Sequence, residues 1–207
     1  MSTLYSQIHT YCQELEQEFD QIPEERKIHL QKLANYLQEK FKQGIRPKLT
    51  VICTHNSTRS HVGQLWLAKS ADYYDLPTID TYSGGTEATA FNPRAVAAVK
   101  KAGFAVGSRP HPSNPTYLIK WKADMLPYEA FSKKYDDAPN PSSDFAAILV
   151  CTSADKGCPI VAGTDFRFFL PYEDPKKFDD TAKEAEMYEE RVRQIGREMM
   201  YVSKNSK

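Results

Sequence analysis

The chain has 207 residues, and its 27 lysines and arginines balance 27 aspartates and glutamates. Such a balance offers no basic surface for nucleic acid and no cationic patch for an anionic membrane. No apolar run approaches the ~20 residues of a membrane span, and Met1-Ser2-Thr3-Leu4 opens no secretory leader. The chain is therefore expected in the cytoplasm, where its four cysteines stay reduced.

Residues 1–47 read as an N-terminal helical extension and residues 48–207 as an α/β domain. Leu4, Ile8, Tyr11, Leu15 and Phe19 recur at helical spacing, and Cys12 beside them reads as core. Ile22-Pro23 breaks the pattern, with Pro23 suited to a first helical position. Leu30, Leu33, Leu37 and Phe41 make a second stripe, closed by Gly44 to Pro47. These helices are expected to pack on the domain or on a second copy, which makes them the candidate homodimer surface.

Beyond Lys48, strands are expected over 49–53, 79–83, 116–121 and 145–151, and helices over 59–74, 93–102 and 181–203. The segment 122–144 holds Pro127, Pro139 and Pro141 and reads as an irregular connection with one helical turn. Phe166-Arg167-Phe168-Phe169 reads as core around a strand. The charged run Glu184, Glu186, Glu189, Glu190, Arg191, Arg193 reads as the solvated face of the last helix. Alternating strands and helices predict a small parallel sheet flanked by helices on both faces. Ligands of such sheets bind beyond the carboxyl ends of the strands. Cys53 and Cys151 both end predicted strands, so parallel strands would bring them to one edge.

The run Cys53-Thr54-His55-Asn56-Ser57-Thr58-Arg59-Ser60 follows the apolar Leu49-Thr50-Val51-Ile52 and precedes a helix. A cysteine and an arginine with five residues between them can wrap one tetrahedral oxyanion. Loop amides and the positive end of the helix bind its oxygens, and Arg59 adds a planar fork of donors. The same groups stabilise a thiolate, which makes Cys53 a candidate nucleophile. The simpler alternative is a structural cysteine beside a solvated arginine. The loop carries no G-x-x-x-x-G-K-[ST] pattern for a nucleotide. A second pair, Cys151 and Cys158, lies on a loop rich in Gly, Ser, Asp and Pro after the apolar run 145–150. Alone it reads as two small buried residues; beside the first loop it reads as two thiols able to meet. The five histidines show no zinc-ligand spacing, and His61 reads as a polar surface residue.

These residues resemble the low-molecular-weight protein tyrosine phosphatases and, among them, the thioredoxin-coupled arsenate reductases. The family loop C-x-G-N-x-C-R-S appears here as CTHNSTRS. Ser83-Gly84-Gly85-Thr86-Glu87-Ala88, Asn92-Pro93-Arg94, Cys151 to Pro159 and Asp174-Pro175 follow in the family's order, so the resemblance covers 48–207. His55 replaces the family's loop glycine, Thr58 its second loop cysteine, and Lys176 stands where phosphotyrosine-directed members carry an aromatic wall, a part left to Tyr172.

The resemblance implies an oxyanion-binding loop of Thr54, His55, Asn56, Ser57, Thr58 and Arg59, with Ser60 donating a hydrogen bond to Cys53 sulfur. It implies Asp174 as general acid, with Asp165, Asp179 and Asp180 as rivals, and a redox relay through Cys151 and Cys158. Arsenate is the first expected substrate, with a thioredoxin-like reductant. Phosphate ester hydrolysis through a phosphocysteine is the second expectation, and non-catalytic oxyanion binding the third. No organic cofactor is implied, and a monovalent cation is left open.

Overall fold

Strand β1 (Lys48–Cys53) is the spine of the molecule, and the computed structural model describes residues 5–157 and 161–207 around it. Leu49, Thr50, Val51 and Ile52 are all inaccessible, so both faces of the strand are covered. A continuous apolar run of this kind suits a parallel sheet buried on both sides. Strand β2 (Asp80–Gly85) pairs with β1 on one side, with Cys53 opposite Gly85. Of the later strands, the third (β3) is Ala105–Arg109, the fourth (β4) Thr116–Lys120, the fifth (β5) Tyr128–Ala130, the sixth (β6) Phe145–Leu149 and the seventh (β7) Thr164–Phe169. The main sheet has the order β2-β1-β6-β7 with every pair parallel.

Helices flank this sheet: α1 (Ser6–Glu16), α2 (Glu24–Lys42), α3 (Arg59–Tyr73), α4 (Pro93–Lys101), the short α5 (Thr152–Gly157) and α6 (Glu184–Lys204). Helix α3 follows the Cys53 loop and is buried from Arg59 to Ala71. It packs closely on α6, where a Cβ at Gly196 would come within 2.8 Å of the Trp66 ring. Ile8, Leu15, Leu30, Leu33 and Leu37 of the first two helices are fully buried in the same core as the sheet. Cys12 is buried with them, and burial pushes its thiol pKa up. Among the described residues no helix is long and apolar enough to cross a membrane.

The parallel sheet with flanking helices agrees with the sequence pattern, but four local expectations need correction. Residues 116–121 do form a strand, yet it belongs to a separate antiparallel sheet of order β3-β4-β5. Its other two strands carry no strand signal in the sequence, since Ala105–Arg109 is short and largely exposed and Tyr128–Ala130 is three residues long. The expected helical turn in 122–144 is absent among the described residues, and β5 lies there. Residues 164–169 form the edge strand of the main sheet, with Phe168 buried and Phe166 48% exposed. The charged run on α6 is not simply solvated: Arg191 is buried, and Arg193 pairs with Glu14 and Glu18 and lies over the Tyr11 ring. The first helix covers that face.

The division after residue 47 is a proposal about folding units, and the shared core makes it testable. Leu15→Ala should cost about 2–5 kcal/mol of global stability, in one denaturant transition. A separate early transition carrying the whole loss would mark the extension as an independent unit.

Candidate active site

The described cysteines Cys53 and Cys151 come to one edge because β1 and β6 are adjacent and parallel, with Ile52 opposite Leu149. The N–H of Val150 donates to the carbonyl of Ile52 at 2.9 Å, so the register persists up to the cysteines. Cys53 sits at the floor of a cavity of about 190 Å³. Ser57, Thr58, Arg59, Asp174 and Lys176 line it, with His55 and Thr89. Among the described residues each lining side chain besides Cys53 carries a polar group, its carbons sharing the surface about equally, and the His55 imidazole is the one ring that faces it.

The loop is held from outside by its carbonyls. Cys53 O accepts from Thr86 N–H, and Thr54 O from Glu87 N–H at 2.8 Å and the Thr86 hydroxyl at 3.1 Å. His55 O accepts from the hydroxyls of Ser132 and Thr89, and Ser57 O from Asn92 N–H. The N–H groups of residues 54–59 make none of the described hydrogen bonds. With the carbonyls bound outward, these amides are the backbone groups left for an anion. The loop presses onto Gly85, where an added Cβ would lie 2.7 Å from Asn56 N and Thr54 O.

Asn56, not His55, takes the left-handed backbone conformation, at φ 44°, and asparagine tolerates that region better than most residues. The histidine in place of the family glycine therefore meets no such constraint. Asn56 is fully buried, and its side-chain oxygen accepts from Lys133 N–H at 2.9 Å. A backbone N–H can only donate, so the orientation of the amide is fixed. Its NH₂ group then donates to Ser60 Oγ at 2.8 Å. The Ser60 hydrogen is left for Cys53 Sγ, 3.1 Å away. This chain of donors ends on the sulfur.

Arg59 is largely buried, with Nη1 donating to Tyr172 O at 3.0 Å and Nη2 to Asp174 Oδ2 at 2.5 Å. The other Asp174 oxygen accepts from Lys176 N–H, capping a 3₁₀ turn. Asp174 is thus both the cap of this turn and a lining residue of the cavity. Its rivals are engaged elsewhere: Asp165 with Tyr36 and Lys40, Asp179 with Tyr188, Asp180 with Arg94. Tyr172 makes no wall for the cavity, because its ring is buried and its hydroxyl donates to Glu198 at 2.7 Å.

Cys151 Sγ lies 3.3 Å from the Thr54 hydroxyl and accepts from Ala154 N–H at 3.4 Å. Thr54 also meets the Ser153 hydroxyl at 3.0 Å, which ties the second cysteine's segment to the loop. Cys158 lies outside the described residues. His61, expected on the surface, is fully buried, stacked on Phe91 at 4.2 Å and bonded through Nδ1 to Ser83. Burial and the Lys133 charge hold its pKa well below the usual imidazole range, so it is neutral. The helix is covered along its whole first half, which its weak polar pattern did not reveal. Among the described residues no group of three His, Cys, Asp or Glu side chains is placed to hold a metal.

Lys133 carries no signal in the sequence pattern; it lies in the irregular segment and braces Asn56 through its main-chain N–H. Its side chain is buried against Phe131, and burial pushes its pKa from 10.5 to about 8.

Two measurements follow from this geometry. Ser60→Ala removes the hydroxyl partner of Cys53 Sγ, so Cys53 alkylation by iodoacetamide at neutral pH should slow, by up to roughly 10-fold for one lost hydrogen bond. An unchanged rate would contradict the donor chain. For Lys133, the unfolded chain binds more protons between about pH 8 and 10.5, so stability rises with pH across that window. Denaturation midpoints of wild type relative to Lys133→Met should climb there, and a flat difference would contradict the buried amine.

No family model matches the chain. It is 32% identical over 125 residues to an arsenate reductase 2 of Staphylococcus epidermidis, covering 60% of this chain and 75% of that protein. It is 27% identical over 157 residues to an arsenate reductase of Halalkalibacterium halodurans, covering 75% and 94%. In fold it is similar to a low-molecular-weight protein tyrosine phosphatase from Bacillus subtilis, with a TM-score of 0.50 at 14% identity over 76% of this chain and 95% of that one.

Proposed function

The chain belongs to the low-molecular-weight phosphatase family, on its arsenate reductase side, and from that premise we propose that it reduces arsenate through Cys53 with a Cys151–Cys158 relay. The observation that carries this reading is the position of Cys151 sulfur, hydrogen-bonded to the loop residue next to Cys53. Ester hydrolysis needs no second thiol there. Among the described residues the His55 imidazole is the one ring lining the cavity, which gives an aryl ester little to stack on.

In the proposed sequence the loop amides and Arg59 hold arsenate, and the Cys53 thiolate attacks arsenic. Asp174 gives a proton to the departing oxygen, which leaves as water. Cys151 thiolate then attacks Cys53 sulfur. The sulfur–arsenic electron pair goes to arsenic, which leaves as arsenite, and a Cys53–Cys151 disulfide forms. Two electrons have passed from two sulfurs to arsenic. Cys158 thiolate attacks Cys151, releasing Cys53, and an external thioredoxin-like dithiol reduces the Cys151–Cys158 bond by exchange. Asp174 and the oxyanion compete for one edge of Arg59, so arsenate binding frees the carboxyl for its proton transfer.

The second reading, phosphomonoester hydrolysis, uses Cys53, Arg59 and Asp174 without the relay. Cys158→Ser separates the two. Arsenate turnover with a thioredoxin-like dithiol should be lost in that variant, and any aryl phosphate hydrolysis should stay at the wild-type level. Sustained arsenate turnover would contradict the relay. A wild type that binds oxyanions and turns over neither substrate would point to the non-catalytic reading.

A further inference from the structure

Arg59 owes its position to residues 170–174, a segment without regular secondary structure that supplies both of its partners, Tyr172 O and Asp174. Tyr172 is the hub of that segment. Its N–H donates to Val150 O at 3.0 Å, on the residue before Cys151. Its carbonyl accepts from Arg59. Its side chain, 5% exposed, runs the other way into the protein.

There the phenol donates to Glu198 Oε2 on α6 at 2.7 Å. Burial and the Glu198 charge push its pKa well above the usual tyrosine range, so it remains a donor. Glu198 is 3% exposed at its side chain, and the cation that neutralises it comes from outside the α/β domain. Arg26, in the first turn of α2, donates Nε to the same oxygen at 2.8 Å and places Nη2 at 2.8 Å from it. Its guanidinium carbon also lies 4.7 Å from the Tyr172 ring centre. A buried carboxylate stripped of its cation is strongly disfavoured, and the tyrosine, which touches Arg26 with its ring and Glu198 with its hydroxyl, would then lose its fixed place.

We propose that Arg26 of the N-terminal extension is a positioning residue for the oxyanion site, acting through Glu198 and Tyr172 on Arg59. The extension is thereby part of the active-site support, and the site is incomplete without it. This rests on Arg59 being the anion-binding group of the function proposed above.

The test is a double-mutant cycle on the affinity for inorganic phosphate, read by calorimetry on the full chain. Arg26→Ala should weaken phosphate binding roughly ten-fold, a size usual for coupled neighbours. Arg26→Lys should recover part of that loss. In an Arg59→Lys background the further change Arg26→Ala should have no effect on phosphate affinity. Equal weakening in both backgrounds would show a general loosening and overturn the proposal, as would wild-type affinity in a folded Arg26→Ala chain. If Arg26→Ala fails to fold, Tyr172→Phe removes the single hydroxyl and is read in the same cycle by the same criteria. An Arg59→Lys chain that binds phosphate like wild type would instead overturn the anion-site reading beneath the proposal.

Discussion

Everything proposed for this protein depends on the hydrogen bond between Ser60 and the sulfur of Cys53. Its direction is set two links away, by a main-chain N–H of Lys133 that has no choice but to donate. That donor fixes the Asn56 amide, the amide saturates Ser60 with a hydrogen, and Ser60 has only the sulfur left for its own. A thiol would gain little from this arrangement, whereas a thiolate gains a charge-assisted hydrogen bond. The long-range pair from residue 56 to residue 133 thus connects the small antiparallel sheet's trailing segment to the chemistry of residue 53.

The fold supplies the rest by simple geometry. Parallel pairing of β1 with β6 brings two strand ends together, so a loop after each meets the other across the sheet edge. The outward carbonyls of residues 53, 54, 55 and 57 are taken by the segments after β2 and before β6. Among the described residues Arg59 is then the one guanidinium lining the cavity, held between a main-chain oxygen and a carboxylate. A buried guanidinium with partners on both sides is pre-organised, so little rotamer freedom remains to be lost when an oxyanion binds.

The sequence made the centre of the site legible and left its supports obscure. Cys53, Arg59 and Ser60 are close in the chain, and their spacing alone suggests an oxyanion loop. Cys151 was legible through its place at a strand end. Asp174 was legible as an Asp-Pro pair, although only the structure separates it from Asp165, Asp179 and Asp180. Lys133 was hidden because it acts through its backbone, and side-chain type says nothing about that. Arg26 and Glu198 were hidden because they stand 172 residues apart on helices whose charges look solvated in isolation. Arg191 and Arg193 misled for the same reason: a charged stripe reads as surface until another helix covers it. The edge strand β7 and the exposed β3 lacked the continuous apolar run that betrays a central strand.

The most direct test is the alkylation of Cys53 by iodoacetamide, followed with and without saturating inorganic phosphate. A sulfur set beside an oxyanion cavity lined by Ser57, Thr58 and Arg59 should react in the free protein and be protected when phosphate fills the cavity. A Cys53 that does not react, or that reacts equally fast with phosphate present, would contradict the account.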